Sequence, residues 1–374
     1  MKFFSTQTIF LIVCLFLSSC ANYNAGMRRP QIKDGKTFGR IPLPEPETEA
    51  YRFAKVDNNI ELPELMDWAG SKADKKFTDA EDFVGSNRTS ALLIIRNDTV
   101  LYEQYFNGFT DSTITQVFSV TKPLIASLLS QAIKEGRIET LDEPVIDYLC
   151  LKGKEEKCQA LTFKHLAQMQ SGFNHYDYRR IFRVLRLYYA KDLDTYVAKA
   201  RVGRMPGGKF LYKSFDTQVL GMCLEKVFEE DDLINRFVEL YWKNIHPEHK
   251  GYFSVDGKKN KNPKYFGGLN IAARDLAKIG KIYMNDGKFE DQQVISEDWI
   301  HYIEDTTNHV GKWDYGLGWY FDAYSPEHQI YYGSGFNGQF LVINKTNNTI
   351  IVRLGEKENG YDWWKMLTDM SKLF

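Results

Sequence analysis

Phe118-Ser119-Val120-Thr121-Lys122-Pro123 opens an apolar stretch that runs to Gly136. Beyond it, Leu124, Ile125, Leu128, Leu129, Ala132 and Ile133 recur at helical spacing, so one face is built for burial. Pro123 places the start of that helix. A proline in a helix interior removes a hydrogen bond and clashes with the carbonyl four residues back, but in the first turn both costs largely vanish. The spacing therefore predicts a helix that begins at Ser119 or within one residue of it and ends near Gly136. Ser119 then stands at the positive end of the helix dipole, with Lys122 one turn on and on the same side. A hydroxyl and an amine so placed can act as nucleophile and base. Serine is also an ordinary N-cap, and Ser-x-x-Lys recurs by chance, so the surroundings decide.

The 374 residues allow one large domain or two smaller ones. Apolar residues at 43% and charged residues at 26% are the proportions of a soluble globular chain. A net charge of -1 with no basic face argues against nucleic-acid binding. At the start, Lys2 precedes the apolar run Ile9 to Leu17, which is too short to span a bilayer and has the size of a signal-peptide core. Leu17-Ser18-Ser19-Cys20 resembles a bacterial lipobox, in which Cys20 is acylated and becomes the mature N-terminus; an ordinary cleaved signal is the alternative. A lipid on Cys20 would tether the protein to a membrane and place it in the bacterial cell envelope, facing periplasm or exterior. Residues 21–60, with Pro30, Pro42, Pro44 and Pro46, read as a tether. Cys150 and Cys158 flank a Lys/Glu-rich loop, where a disulfide and two thiols are both open. Cys223 reads as a buried helix residue. No Cys/His grouping has metal-site spacing, and no cofactor motif is present.

Residues 91–95 and 99–106 read as a hairpin around Arg96-Asn97-Asp98. Helical signals follow over 162–170, 179–199, 215–229, 232–243, 271–285 and 296–304, with a short helix expected earlier over 62–72. Strands return at 315–321, 329–332, 339–343 and 349–353, and the tail from Trp363 reads as a closing helix. Strands at both ends with helices between predict an α+β fold, whose antiparallel sheet comes from N- and C-terminal segments around a large helical insertion. The expected division is 1–20 leader, 21–60 tether and 61–374 domain. Within the domain, the sheet part is about 61–118 and 305–374, and the helical part about 119–304. The Ser119 helix lies at their seam, where sites prefer to form.

Two further stretches bear on that seam. Pro206-Gly207-Gly208 leads through Lys209 to Leu211 into Tyr212-Lys213-Ser214, just before a helix, so a phenol and a hydroxyl can project into one cleft. Ser214 is equally a helix cap and Tyr212 a packing residue. Near the C-terminus, Gly333-Ser334-Gly335-Phe336 precedes a strong strand; its amides could donate half of an oxyanion hole, the other half being the amide of Ser119. A bulge or hairpin corner is the alternative. His175, Tyr176 and Asp177 follow Ser171-Gly172 and are candidates to line a pocket.

From about Ser90 to Gly355 these motifs, in this order, resemble the serine β-lactamase, penicillin-binding protein and DD-peptidase superfamily. They include Leu141-Asp142-Glu143-Pro144, Leu161-Thr162-Phe163-Lys164-His165-Leu166, Tyr315-Gly316-Leu317-Gly318-Trp319 and Gly335-Phe336-Asn337-Gly338-Gln339. Among its branches the chain is most similar to class C-like serine hydrolases and 6-aminohexanoate-dimer hydrolases. The resemblance implies a β-lactamase/transpeptidase-like fold. It also implies an acyl-enzyme on Ser119, with Lys122 and Tyr212 as general base and acid. Ser214, Ser334, Gly335 and Phe336 would hold the oxyanion or substrate, Phe336 being preferred by likeness to the amide-hydrolase branch. Two departures stand out. Ser214 replaces the frequent Asn of the second motif, and Gly333-Ser334-Gly335 lacks the cation of true β-lactamases. Both direct the expectation to a small-molecule or short-peptide ester or amide. A cell-wall DD-peptidase, a weak β-lactamase and a non-catalytic peptide sensor are the alternatives.

Overall fold

The computed structural model describes residues 28–63, 77–149, 156–175, 177, 181–229, 232–257 and 261–374. The expected leader, Cys20, the helix over 62–72, Cys150 with its pairing to Cys158, and Tyr176 fall wholly or mainly outside these residues.

An eight-stranded sheet forms the frame. Its strands are β2 (Ala54–Lys55), β3 (Thr89–Arg96), β4 (Thr99–Tyr105), β10 (Tyr315–Gly316), β11 (Trp319–Phe321), β12 (Ile330–Gly335), β13 (Gln339–Asn344) and β14 (Thr349–Gly355). They lie in the order β10-β11-β12-β13-β14-β3-β4-β2. Every pairing is antiparallel except β2 with β4. Chain ends thus meet in mid-sheet, Val352 opposite Leu93. Alternation along β3 assigns the two faces: Leu93 and Ile95 join one apolar cluster, Leu92 and Ile94 the other. The first cluster includes Leu276, Ile279 and Ile282 of the helix Ala273–Met284. The second includes Phe83 and, from the helix Trp363–Ser371, Trp363, Met366 and Leu367. The helix 273–284 therefore covers the sheet, although its position in sequence assigns it to the helical part.

A second sheet was not foreseen. β1 (Arg40–Pro42), β5 (Thr115–Gln116), β6 (Tyr252–Ser254) and β7 (Leu269–Ile271) pair in the order β1-β6-β7-β5. Strands of two or three residues are too short to show alternation in sequence. β8 (Lys288–Phe289) and β9 (Gln292–Gln293) make a separate ribbon.

The tether reading is corrected from residue 28 onward. β1 and β2 are sheet strands, and Ile32, Leu43 and Phe53 are buried, spaced too widely to form a periodic signal. The single helix read over 179–199 is two, Ile181–Tyr188 and Leu193–Ala198, because Asp192 caps the second by accepting from the Thr195 amide. Likewise, 232–243 begins as the α-helix Leu233–Phe237 and widens to a π-turn over Val238–Trp242. Cys223 and Cys158 are buried.

The Ser119 helix begins as a 3-10 turn, Phe118–Val120, and continues as Thr121–Ala126 and Leu128–Lys134, with Gly136 left-handed at its end. Every residue from Thr115 to Leu129 is buried except Ser119. The hairpin between β10 and β11 presses against this helix. Gly318 has φ +102°, and a Cβ there would lie 2.5 Å from Pro123 Cα and 2.6 Å from its nitrogen. Gly318→Ala should lower the urea unfolding free energy by roughly 2–4 kcal/mol, combining backbone strain with an overlap against main chain. Gly360→Ala, at φ +78° with nothing within 4 Å, carries only the strain and should cost about 1 kcal/mol. Equal unfolding midpoints for the two variants would refute the close packing of hairpin on helix.

Candidate active site

The head of the helix is held open by strain and by its neighbours. Phe118 is buried with φ +46°, an uncommon value for a bulky residue, and it turns the chain so that Ser119 alone faces outward. Strand β12 runs alongside: a Cβ on Gly335 would lie 2.4 Å from the Val117 carbonyl oxygen, and one on Gly333 would be 3.2 Å from Val120 Cγ1. These glycines are where the sheet edge reaches the helix head.

Lys122 is buried to 1% exposure and has three polar partners. Its Nζ lies 2.7 Å from Ser119 Oγ, 3.1 Å from Ser214 Oγ and 2.8 Å from the Phe266 carbonyl oxygen. Ser214 in turn donates its hydroxyl to Asp177 Oδ2 at 2.5 Å, and its amide is 3.1 and 3.0 Å from the two Asp177 oxygens. These partners assign directions. The Phe266 carbonyl can only accept, and Ser214 Oγ, having given its proton to Asp177, accepts too. A neutral amine has two protons and one lone pair, so both N–H groups are taken and the lone pair is left for Ser119.

Burial supplies that neutral form. With no carboxylate in contact among the described residues, desolvation lowers the Lys122 ammonium from 10.5 to about 7, opposed in part by the charge of Asp177. Asp177 itself is pushed above the usual carboxylate range by burial, with Lys122 and the Ser214 hydrogen bonds pulling the other way.

Tyr212 closes the other side of the amine, with Lys122 Nζ 5.1 Å from its ring centroid. The loop carrying it is pinned from beneath. Lys213 Nζ donates to the carbonyls of Met169 and Leu211 and pairs with Asp216 at 3.2 Å, while Ser171 Oγ donates to Asp216 at 2.7 Å. Tyr212 also packs on Tyr320, 6.1 Å between centroids.

Ser119, Tyr212, Ser214, Ser334, Gly335 and Phe336 line one cavity of about 570 Å3, of a size to hold a small ligand. Asp177 lines it too. The turn after Gly335 is fixed by Gln339, whose Nε2 donates to the Phe336 and Gly355 carbonyls at 3.0 and 2.6 Å. Buried Arg353 donates to the Gly338 carbonyl at 2.6 Å.

Not every expected residue belongs. His175 is not among the cavity-lining residues; it stacks on Phe215 with centroids 4.0 Å apart, and burial, with Arg183 and Lys213, lowers it to about 4. It is a packing residue. Ser214 does line the cavity, but its hydroxyl bridges Lys122 and Asp177 and is only 4% exposed as a residue. Several lining residues escaped the sequence. Arg29 and Pro30 lie in the stretch read as a tether, Glu358 follows the last strand, and Tyr188 follows from a helix whose register was not read. The Phe266 carbonyl carries no side-chain signal at all. Asp177 was recognised beside the pocket, but its grip on Ser214 requires the loop geometry.

The amine can be titrated directly. In NMR of the protein labelled with 13Cε-lysine, the resonance lost in Lys122→Met should titrate near pH 7. Asp177→Asn should move that midpoint lower, because it removes the carboxylate that favours the ammonium. A midpoint near the ordinary lysine value, or one indifferent to Asp177, would contradict this electrostatic arrangement.

Comparison with known proteins places this architecture. Residues 79–362 match the family described as Beta-lactamase. A 6-aminohexanoate-dimer hydrolase from Paenarthrobacter ureafaciens is 24% identical over 310 residues, 75% of each chain. A Bacillus anthracis structure, named provisionally as a 6-aminohexanoate-dimer hydrolase, aligns with TM-score 0.77 at 19% identity over 93% of this chain and 95% of that one. A penicillin-binding protein from Bacillus halodurans aligns with TM-score 0.62 at 15% identity over 79% and 98%. The structural likenesses are likenesses of fold, and the family match spans most of the chain. The sheet, the inserted helices and the seam between them are shared with a known lineage: the chain belongs to the beta-lactamase family.

Proposed function

We propose that this protein is a serine hydrolase that cleaves an ester or amide bond through an acyl-enzyme on Ser119. Family membership makes the chain a hydrolase. The observation that carries the finer reading is the 2.7 Å contact between Ser119 Oγ and a buried Lys122 amine whose other partners are acceptors.

Ser119 Oγ attacks the substrate carbonyl carbon while its proton passes to the Lys122 lone pair. The amides of Ser119 and Phe336 stabilise the oxyanion. Collapse breaks the bond to the leaving alcohol or amine, which takes its proton from the Lys122–Tyr212 pair. Water then attacks the acyl-enzyme, the same pair accepts its proton, and Ser119 and a carboxylic acid are released. Asp177 and Ser214 act by positioning Lys122.

The substrate reading follows from the walls. Phe118, Val184, Leu185, Tyr320 and Phe336 give the cavity a largely apolar lining. Gly333-Ser334-Gly335 itself carries no cation to hold a substrate carboxylate, and Arg29, which lines the cavity, lies over the Phe336 ring; this favours esters and linear amides over penicillins. The proposal extends to the leader. Cys20 is read as a lipid anchor, which would place the enzyme on a bacterial envelope membrane.

Turnover of a p-nitrophenyl ester should show a burst, and a fluorophosphonate should label the wild-type protein at Ser119. Ser119→Ala should lose both, and Lys122→Ala should lose at least about a thousandfold in kcat, because the two residues act as a unit. Labelled penicillin should be captured weakly or not at all. Undiminished turnover by Ser119→Ala would end this reading; strong penicillin capture would shift it to a DD-peptidase.

A further inference from the structure

The helix Ile181–Tyr188 has two different faces. Val184, Leu185 and Tyr188 line the cavity. On another side, Phe182 is 54% exposed and Arg186, one turn on, is exposed as well. Next to this helix lies the first described segment. Tyr189 donates its hydroxyl to the Arg28 carbonyl at 2.9 Å, and Asn337 Nδ2 donates to the Pro30 carbonyl at 2.9 Å. Arg29, exposed, places its guanidinium 5.0 Å over the ring of Phe336, itself 36% exposed. Arg29 and Phe336 line the same cavity as Val184 and Leu185, so these groups share its rim.

The segment that carries this helix is basic in a chain that is not, although Asp177 and Glu358 also line the cavity itself. Residues 181–209 contain Arg183, Arg186, Lys191, Lys199, Arg201, Arg204 and Lys209 against Asp192 and Asp194, while the whole chain has a net charge of -1. None of these seven cations is buried. Guanidinium groups beside a protruding phenyl ring match the boundary between anionic headgroups and acyl chains. A polyanion without an apolar layer would leave Phe182 unused.

We propose that this rim docks on an anionic lipid bilayer, so that the cavity opens toward the membrane surface. The inference goes beyond the hydrolase reading and rests on the anchor reading of Cys20 only for its placement. Arg28 lies eight Cα steps beyond Cys20, so a lipid there would hold Arg28 within about 28 Å of the bilayer. The substrate then comes from molecules that partition into or lie along that surface.

The test uses residues 21–374, which retain every described element and lack the anchor, with phosphatidylcholine vesicles made with and without phosphatidylglycerol. The protein should sediment with the anionic vesicles and stay in solution with the neutral ones. Arg186→Glu should weaken vesicle binding by more than about fivefold, the worth of roughly one surface cation, and Phe182→Ser should weaken it as well. Neither side chain lines the cavity, so turnover of a small soluble ester should be unchanged in both. Equal binding to the two vesicle types, no binding to either, or anionic binding indifferent to both substitutions would overturn the proposal. So would binding to heparin that matches vesicle binding and ignores Phe182. Vesicle binding is read without substrate, so a parent protein that binds but turns over no ester speaks against the hydrolase reading alone.

Discussion

A buried lysine amine that no described carboxylate contacts is the constraint on which this structure turns. Lowering an ammonium from 10.5 to about 7 corresponds to roughly 5 kcal/mol of disfavoured charge, a large part of what a domain has to spare. The protein meets it with three polar partners and with a carboxylate, Asp177, held one residue away behind Ser214. Direct contact between Asp177 and Lys122 would restore the charged amine and fill the lone pair that the proposed mechanism gives to the Ser119 proton. Interposing a serine keeps the charge near enough to limit the loss of stability, yet far enough to leave the amine uncharged, as the proposed mechanism requires.

The rest of the architecture keeps that amine dry and its partners still. The helix behind it is buried through to Leu129, and the strained Phe118 brings only Ser119 to the surface. Gly318 lets the β10–β11 hairpin close on Pro123, and Gly335 lets β12 approach Val117. Behind the turn, the Arg353 guanidinium lies 3.6 Å from the Trp363 ring centroid, so one buried cation ties the far helix layer to the cavity's edge. The Lys213–Asp216 pair does the same for the Tyr212 loop. A buried pair of this kind adds little net stability over an apolar substitute; its value lies in fixing a loop in one position.

Much of this was legible in residue order alone. The helix from Ser119 to Gly136, the 91–106 hairpin and the strands from 330 onward carry strong periodic patterns and assemble as read, whereas 315–321, read as one strand, turns back at Leu317-Gly318 into the β10–β11 hairpin. Ser119 and Lys122 stood out because Pro123 marks the first turn, whereas Tyr212 stood out only through the family resemblance, its glycine loop alone reading equally as packing. What escaped has a common cause. β1, β5, β6 and β7 are shorter than one period of any pattern, and the buried residues of 28–63 are isolated from one another in sequence. The Asp177–Ser214 link and the Phe266 carbonyl depend on loops that meet only after folding. His175, which looked like a pocket residue from its neighbours, is instead held half-buried by its stack on Phe215.

The most direct measurement is mass spectrometry of the protein quenched during turnover of an activated ester, with deacylation slowed by Tyr212→Phe. One acyl group should accumulate on the peptide that contains Ser119, and it should disappear when Lys122 is replaced by methionine. An acyl group carried by another residue, or steady hydrolysis with Ser119 never modified, would contradict the central role assigned to the buried amine and its hydroxyl partner.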